Sequence, residues 1–241
     1  MIYDKYVSLM NKIDKNRNVR NMYNYKPNIY QIQPDLKQKM TLIYDKIGLN
    51  IQLSKYKRLN RIEYVVEIFD DRLIENGYPH TVGNKIMLPI NYYFSLDRMQ
   101  RMLLLIHEVI HIYQRYNPFD FNCFLVKKLG LKVVNLSMKD FQETKRTNPD
   151  INGILYDEGG KYNVMIYNSM HPKNLADASV RQFTTESASL NKYNSIISHY
   201  RNTVTIQHEH PYETLACILA YVIQKEDVTC PIVLKQWLSC H

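Results

Sequence analysis

Glycine is scarce in this chain, seven in 241 residues. None of them belongs to the clustered loop whose backbone amides cradle a phosphate, so nothing points to a nucleotide-binding fold of that kind. Cysteine is scarcer still. Cys123, Cys217, Cys230 and Cys240 show no C-x-x-C spacing, which excludes a cysteine-built zinc knuckle and leaves them reading as free thiols. Long apolar runs are missing too: no stretch approaches the roughly 18 residues of a membrane helix. The first residues, Met1-Ile2-Tyr3-Asp4-Lys5-Tyr6, are amphipathic and charged, without a secretory hydrophobic stretch. The expectation is a chain with no membrane span that stays inside a cell. It would lie in the cytoplasm of a producing or host cell, or be packaged in a virion assembled there.

What is present is a globular composition, 45% hydrophobic and 12% aromatic, over a length that allows one sizeable core. Abundant Tyr, Asn, Lys and Ile beside few Gly suit an AT-biased genome, as in some large DNA viruses and low-GC bacteria. Acidic residues are in deficit, giving a formal charge of +8. Basic residues cluster at 12–20 and 55–61 and at Lys127, Lys128 and Lys132. Such an excess can attract nucleic acid or acidic proteins. The plain alternative is a solvated basic surface, and no nucleic-acid-binding motif accompanies the clusters.

Apolar spacing predicts an amphipathic helix over 2–13, carried by Ile2, Tyr6, Leu9, Met10 and Ile13. A second is capped by Asp35, runs through Leu36, Met40, Ile43, Tyr44 and Ile47, and closes at Gly48. Asn60-x-x-Glu63 reads as a capping box for a third, through Ile62, Val65, Val66, Phe69 and Leu73 to Gly77. The period then changes. Residues 78–82 and 85–88 flank Gly83-Asn84 as a tight hairpin. After a buried helix over 96–116, residues 121–129 read as helical and end at Gly130. Residues 154–156 and 163–167 bracket Asp157-Glu158-Gly159-Gly160 as a second hairpin. The polar stretch 168–202 carries no readable period. Pro211 opens a helix over 211–225, and Pro231 a short one through Leu234, Trp237 and Leu238. This describes one α+β domain over 1–241, with a helical N-terminal portion (1–77), a small antiparallel sheet and a core over 78–241.

Within the buried helix stands His107-Glu108-Val109-Ile110-His111, the pattern H-E-x-x-H. Positions i and i+4 share a helix face one turn apart, so both imidazoles can reach one metal ion. Glu108 lies about a third of a turn round, placed to act on water without being a ligand. With His as rare as here, the pattern arises by chance in roughly one chain in a hundred. Ser95 can cap this helix, Asp97 suits its dipole, and Asn117-Pro118 stops it. Buried His and Glu need internal partners, which a zinc ion supplies and which histidine hydrogen bonds alone would also supply.

A catalytic zinc needs a third protein ligand. The metzincin pattern requires Gly and His at positions held here by Gln114 and Asn117, so it is excluded. Glu143, Glu158, Glu186, Glu209 and Glu213 follow. Glu158 is expected in solvent at a turn tip, and Glu143 and Glu186 lie in polar segments. Glu213 heads the apolar segment 213–223, where a lone carboxylate needs a cation, although a first-turn Glu can also sit in solvent beside the dipole. His171, His208 and His210 are the alternatives.

Together, His107-Glu-Val-Ile-His-Ile-Tyr-Gln-Arg115 and His210-Pro-Tyr-Glu-Thr-Leu-Ala216 resemble the gluzincin metallopeptidases, in many of which a P-x-E-x-x-A helix delivers the glutamate ligand. The likeness covers these helices and the preceding hairpin, less than half of the chain. It implies a zincin-like fold, Zn2+ held by His107, His111 and Glu213, and Glu108 as general base in peptide-bond hydrolysis. It also implies that a protein or peptide substrate adds as a strand along 78–88. Tyr212, His208, His210 and Arg115 are the nearest candidates for oxyanion stabilisation. The chain departs from the pattern at Cys217, where thermolysin-like members carry an Asp that orients a zinc histidine. A DNA-associated SprT-like protease would suit the charge but takes a third His close behind the motif, absent here. A zincin-fold virion or scaffold protein without turnover would have no use for Glu108.

Overall fold

The computed structural model describes residues 12–14, 32–70, 75–134, 144–185 and 191–239. The helix expected over 2–13 lies outside them, except that Lys12 and Ile13 sit in a turn with Asp14. The architecture mixes helices and strands, an α+β arrangement.

Helix α1 (Leu36–Leu53) starts at a full capping box: Asp35 accepts from the Gln38 amide, and the Gln38 side chain accepts from the Asp35 amide. It does not close at Gly48. A Cβ there would stand 3.0 Å from Met102 Cε, so the glycine serves close packing on the helix beneath. The third expected helix is a strand, β1 (Val65–Phe69). Asn60 and Glu63 are exposed and cap nothing. The β-branched and aromatic residues Val65, Val66, Ile68 and Phe69 pair instead, parallel, with β3 (Lys85–Pro89). A helical N-terminal portion running to 77 is thereby corrected.

The first hairpin forms as expected. β2 (His80–Val82) runs antiparallel to β3, with Gly83 at φ 60 in the turn, and the sheet order is β1-β3-β2. Helix α2 (Ile90–Ser95) leads into α3 (Arg98–Tyr116), whose cap is Asp97 rather than Ser95, through a second capping box with Gln100. Helix α4 (Pro118–Cys123) widens into a π turn (Phe124–Lys128) and ends at Gly130, φ 82.

The second hairpin is paired differently from expectation. Strand β5 (Tyr156–Asp157) pairs with β4 (Lys132–Val133), while β6 (Lys161–Tyr167) pairs antiparallel with β7 (Ala178–Thr184). β7 hides in the unreadable polar stretch because it is exposed along most of its length, so no apolar alternation marks it. Helix α5 (Lys192–Tyr200) lies there too, capped by Asn191 and anchored by Tyr193, Ile196 and Tyr200. Helices α6 (Pro211–Lys225) and α7 (Ile232–Ser239) match the proline-opened segments.

One apolar cluster runs from Leu49 through α3 and α6 to Trp237. Helices α3 and α6 pack directly on one another, and Ala216 and Ala220 of α6 are fully buried. That packing brings the first turn of α6 to the motif face of α3. No helix among the described residues is long and apolar enough to cross a membrane.

Candidate metal centre

Helical geometry sets the two motif imidazoles side by side. His111 Nε2 lies 2.9 Å from His107 Nε2. Glu213, from the first turn of α6, places Oε2 3.2 Å from His111 Nε2 and 3.4 Å from His107 Nε2. Ligands of a tetrahedral zinc at about 2.0–2.1 Å stand roughly 3.3 Å apart. The three atoms therefore already have near the mutual spacing of one ion's ligands, and they are the group among the described residues that could hold a metal.

The electrostatics of this trio call for positive charge between them. Burial alone favours neutral imidazoles, yet Glu213 and Asp150 raise His111 to about 9. His107 is also raised against burial, by Cys217 and Glu213. Burial opposes ionisation of Glu213, but the two histidines hold its carboxyl well below the usual range. Two imidazole nitrogens at 2.9 Å repel unless a proton or a cation lies between them.

Each ligand has an orienting partner. Gln114, 1% exposed and one turn beyond His111, offers Oε1 to His111 Nδ1 at 2.8 Å. Its amide is fixed the right way round because Nε2 donates to the Tyr212 carbonyl at 3.1 Å. In the neutral ring His111 Nδ1 therefore carries the proton, which leaves the Nε2 lone pair to a cation bound in the centre. Cys217, where a carboxylate stands in thermolysin-like relatives of the pattern, is within hydrogen-bonding reach of the His107 ring. Asn148 Nδ2 donates to Glu213 Oε1 at 2.8 Å and also to Glu209 Oε1. Arg146 in turn meets Glu209 Oε2 at 3.1 Å and donates to the Leu175 carbonyl.

Glu108 is 3% exposed, and its Oε2 has no hydrogen-bond partner among the described residues. Burial, reinforced by Asp150, pushes its carboxyl up to about 8, with the two histidines pulling the other way. Glu108, His107 and Glu213 line one cavity of about 890 Å³, walled further by Tyr78, Leu103, Asp150 and Tyr221. An unpaired, buried carboxylate oxygen at a cavity wall is placed to exchange a proton with water or substrate.

The alternative ligands stand apart from the trio. His210 caps α6, its Nδ1 accepting from the Tyr212 amide at 3.1 Å and its Nε2 donating to the Ile154 carbonyl at 2.7 Å. Burial lowers it to about 4, so it is neutral. His171 and His208 are exposed. Glu158, expected in solvent, is 5% exposed in the turn between β5 and β6 and is not one of the trio, while Glu143 and Glu186 lie outside the described residues.

Two of the oxyanion candidates are occupied elsewhere. The Tyr212 hydroxyl donates to Asn122 at 2.7 Å and accepts from Asn152 at 2.8 Å. Arg115 clamps the hairpin, donating to the carbonyls of Gly83, Thr81 and Pro149. The strand expected to receive substrate is also partly spent. The Thr81 amide donates to Asp150 Oδ1 at 3.0 Å and its carbonyl accepts from Arg115 at 3.1 Å. Only Tyr78, Pro79 and His80 at the start of that stretch border the cavity.

Sequence reasoning set Glu209 among the downstream glutamates without a role, and it did not find Asn148 or Arg146, which no local period or spacing marks. Gln114 carried a usable signal, since position i+3 from a ligand histidine shares its face. Comparison of the chain with protein-family models, with curated proteins and with solved structures finds no match.

Proposed function

We propose that this chain is a zinc-dependent metallopeptidase of the zincin kind, hydrolysing peptide bonds in the cavity between α3 and α6. The observation that carries the reading is the convergence of His107, His111 and Glu213, with the unpaired Oε2 of Glu108 beside them and His107, Glu108 and Glu213 lining one cavity. His107 and His111 through Nε2, and Glu213 through Oε2, are the residues that would hold the ion. Zinc bound there supplies Lewis acidity, making water a nucleophile near neutral pH and polarising a carbonyl. With the ion's charge offsetting the burial that raises Glu108, its Oε2 is ionised, takes the proton of the attacking water and returns it to the amine nitrogen as the peptide C–N bond breaks. Gln114 keeps His111 in the tautomer that leaves Nε2 free, and Asn148 holds Glu213 by its other oxygen.

The test compares wild type with Glu108→Gln, each loaded with zinc, on a mixture of quenched fluorescent peptides. The variant keeps zinc and fold but loses turnover by about 10²–10⁴-fold, because an amide cannot accept the proton. Equal turnover in the two proteins would remove Glu108 from the mechanism and the peptidase reading with it.

A further inference from the structure

Helix α1 turns an apolar face outward. Leu36, Met40, Ile43, Tyr44, Ile47 and Ile51 are between 42% and 78% exposed. At 100° per residue these six fall within an arc of about 100° along one side of the helix. Opposite them Leu49 and Leu53 enter the core, and Asp45 is 2% exposed. Asp45 pins the helix in this orientation, accepting from Arg101 Nε at 2.7 Å and the Tyr93 hydroxyl at 2.9 Å. The outward stripe is thus fixed by the inner face and is not a choice left open to rotation.

Both borders of the stripe are basic. On the same projection Lys37 lies on one side, next to Tyr44, and Lys39 and Lys46 lie on the other. All three lysines are exposed, and no ion pair joins them to another described residue. The helix's own carboxylates are Asp35, spent on its cap, and the buried Asp45. Just beyond its end Lys55 is paired with Glu226, and Arg61 is a further exposed cation.

We propose that α1 is an interfacial helix that lays this stripe on an anionic lipid surface. Eighteen residues make a stripe about 27 Å long, with aliphatic side chains down its centre, a tyrosine at its border and lysines placed to reach headgroups from both sides. Charge decides against the other occupants. A second copy laid on the same stripe would set these lysines against its own. Residues 1–31 carry six lysines and arginines against two aspartates, so that segment does not complement the stripe either. An acidic protein would satisfy the lysines, but a convex stripe without a polar group along its centre offers no specific hydrogen bonds, which suits lipid better.

The test is co-sedimentation of the whole protein with vesicles of phosphatidylcholine alone and of phosphatidylcholine containing one-third phosphatidylserine. Wild type sediments with the anionic vesicles and stays in solution with the neutral ones, and salt releases it. Ile43→Glu combined with Ile47→Glu abolishes sedimentation. Lys37→Gln, Lys39→Gln and Lys46→Gln together weaken partitioning by roughly a hundredfold. All five positions are exposed, so unchanged circular dichroism and melting confirm folded variants. The proposal is overturned if wild type ignores anionic vesicles, whether it runs as a monomer, as a dimer or bound to an acidic protein. It is equally overturned if the Ile43, Ile47 variant sediments like wild type.

Discussion

Glu213, in the first turn of α6, and Glu158, at the turn between β5 and β6, are both nearly sealed from solvent, at 3% and 5% exposure. Each faces a single asparagine amide, Asn148 at 2.8 Å and Asn163 at 3.5 Å. Their protonation nevertheless goes opposite ways. Glu213 is held ionised, well below the ordinary carboxylate range, although burial opposes it. Glu158 is pushed by burial up to about 8, with Lys161 only partly offsetting. The difference lies in the two imidazoles beside Glu213, for which Glu158 has no counterpart. Burial alone therefore does not make a metal ligand. A buried carboxylate becomes one where basic groups of fixed geometry converge on it.

The strongest way to break this comparison is to remove the convergence. The expectation is that the purified protein binds about one equivalent of zinc. His107→Ala, His111→Ala and Glu213→Ala should each abolish that stoichiometry in metal analysis after dialysis, whereas Glu158→Ala should leave it intact. If Glu213→Ala kept its zinc while Glu158→Ala lost it, the centre would have been assigned to the wrong carboxylate.

A smaller effect separates holding a ligand from being one. Asn148→Ala leaves Glu213 Oε1 without its donor, and Gln114→Ala frees His111 to rotate or to protonate at Nε2. Both should retain a folded site but weaken zinc binding by about 10–100-fold, read by competition with a chromogenic chelator. The Asn148 change also leaves Glu209 facing Glu213 without an intervening donor, which adds repulsion between the two carboxyls. Wild-type affinity in both variants would show that helix packing alone positions the ligands.

The parts of this site that were legible in the sequence are those set by helical period. His107, Glu108 and His111 are fixed relative to one another by one backbone geometry, and a proline followed by a lone Glu at the head of an apolar run singles out Glu213. The architecture read well on the same terms for α3, α6 and the 80–89 hairpin. It failed at β1, where valines and a phenylalanine fit either a helix face or a strand, and only pairing with β3 decides. It failed at β7, whose exposed outer residues leave no alternation. Asn148 and Arg146 were invisible for a deeper reason. Asn148 reaches Glu213 across 65 residues of chain, and Arg146 reaches Glu209 across 63, through side-chain hydrogen bonds that no local spacing encodes. Glu158 illustrates the converse error. A turn rich in Gly and Asp reads as solvated, yet Asn194 donates to the Glu158 carbonyl at 2.7 Å, tying the start of α5 over that turn.

The mildest perturbation of the site tests the other half of the comparison. For Glu158 the folded pKa, about 8, stands above the ordinary carboxyl value of about 4.5 that the unfolded chain would show. The folded state therefore binds the extra proton between those values. Its contribution to stability is fully present below the unfolded pKa and is lost as pH rises through the folded one. Wild type should accordingly lose thermal stability between about pH 5 and 8 from this group, by on the order of 2 kcal/mol, or roughly 4–8 °C for a chain of this size. Glu158→Gln carries a neutral amide throughout. It should melt close to wild type at pH 5 and above it at pH 8, with zinc content unchanged. Parallel melting curves for the two proteins across that window would mean that Glu158 is ionised in the fold, as Glu213 is, and that burial without converging bases suffices to keep a carboxylate charged.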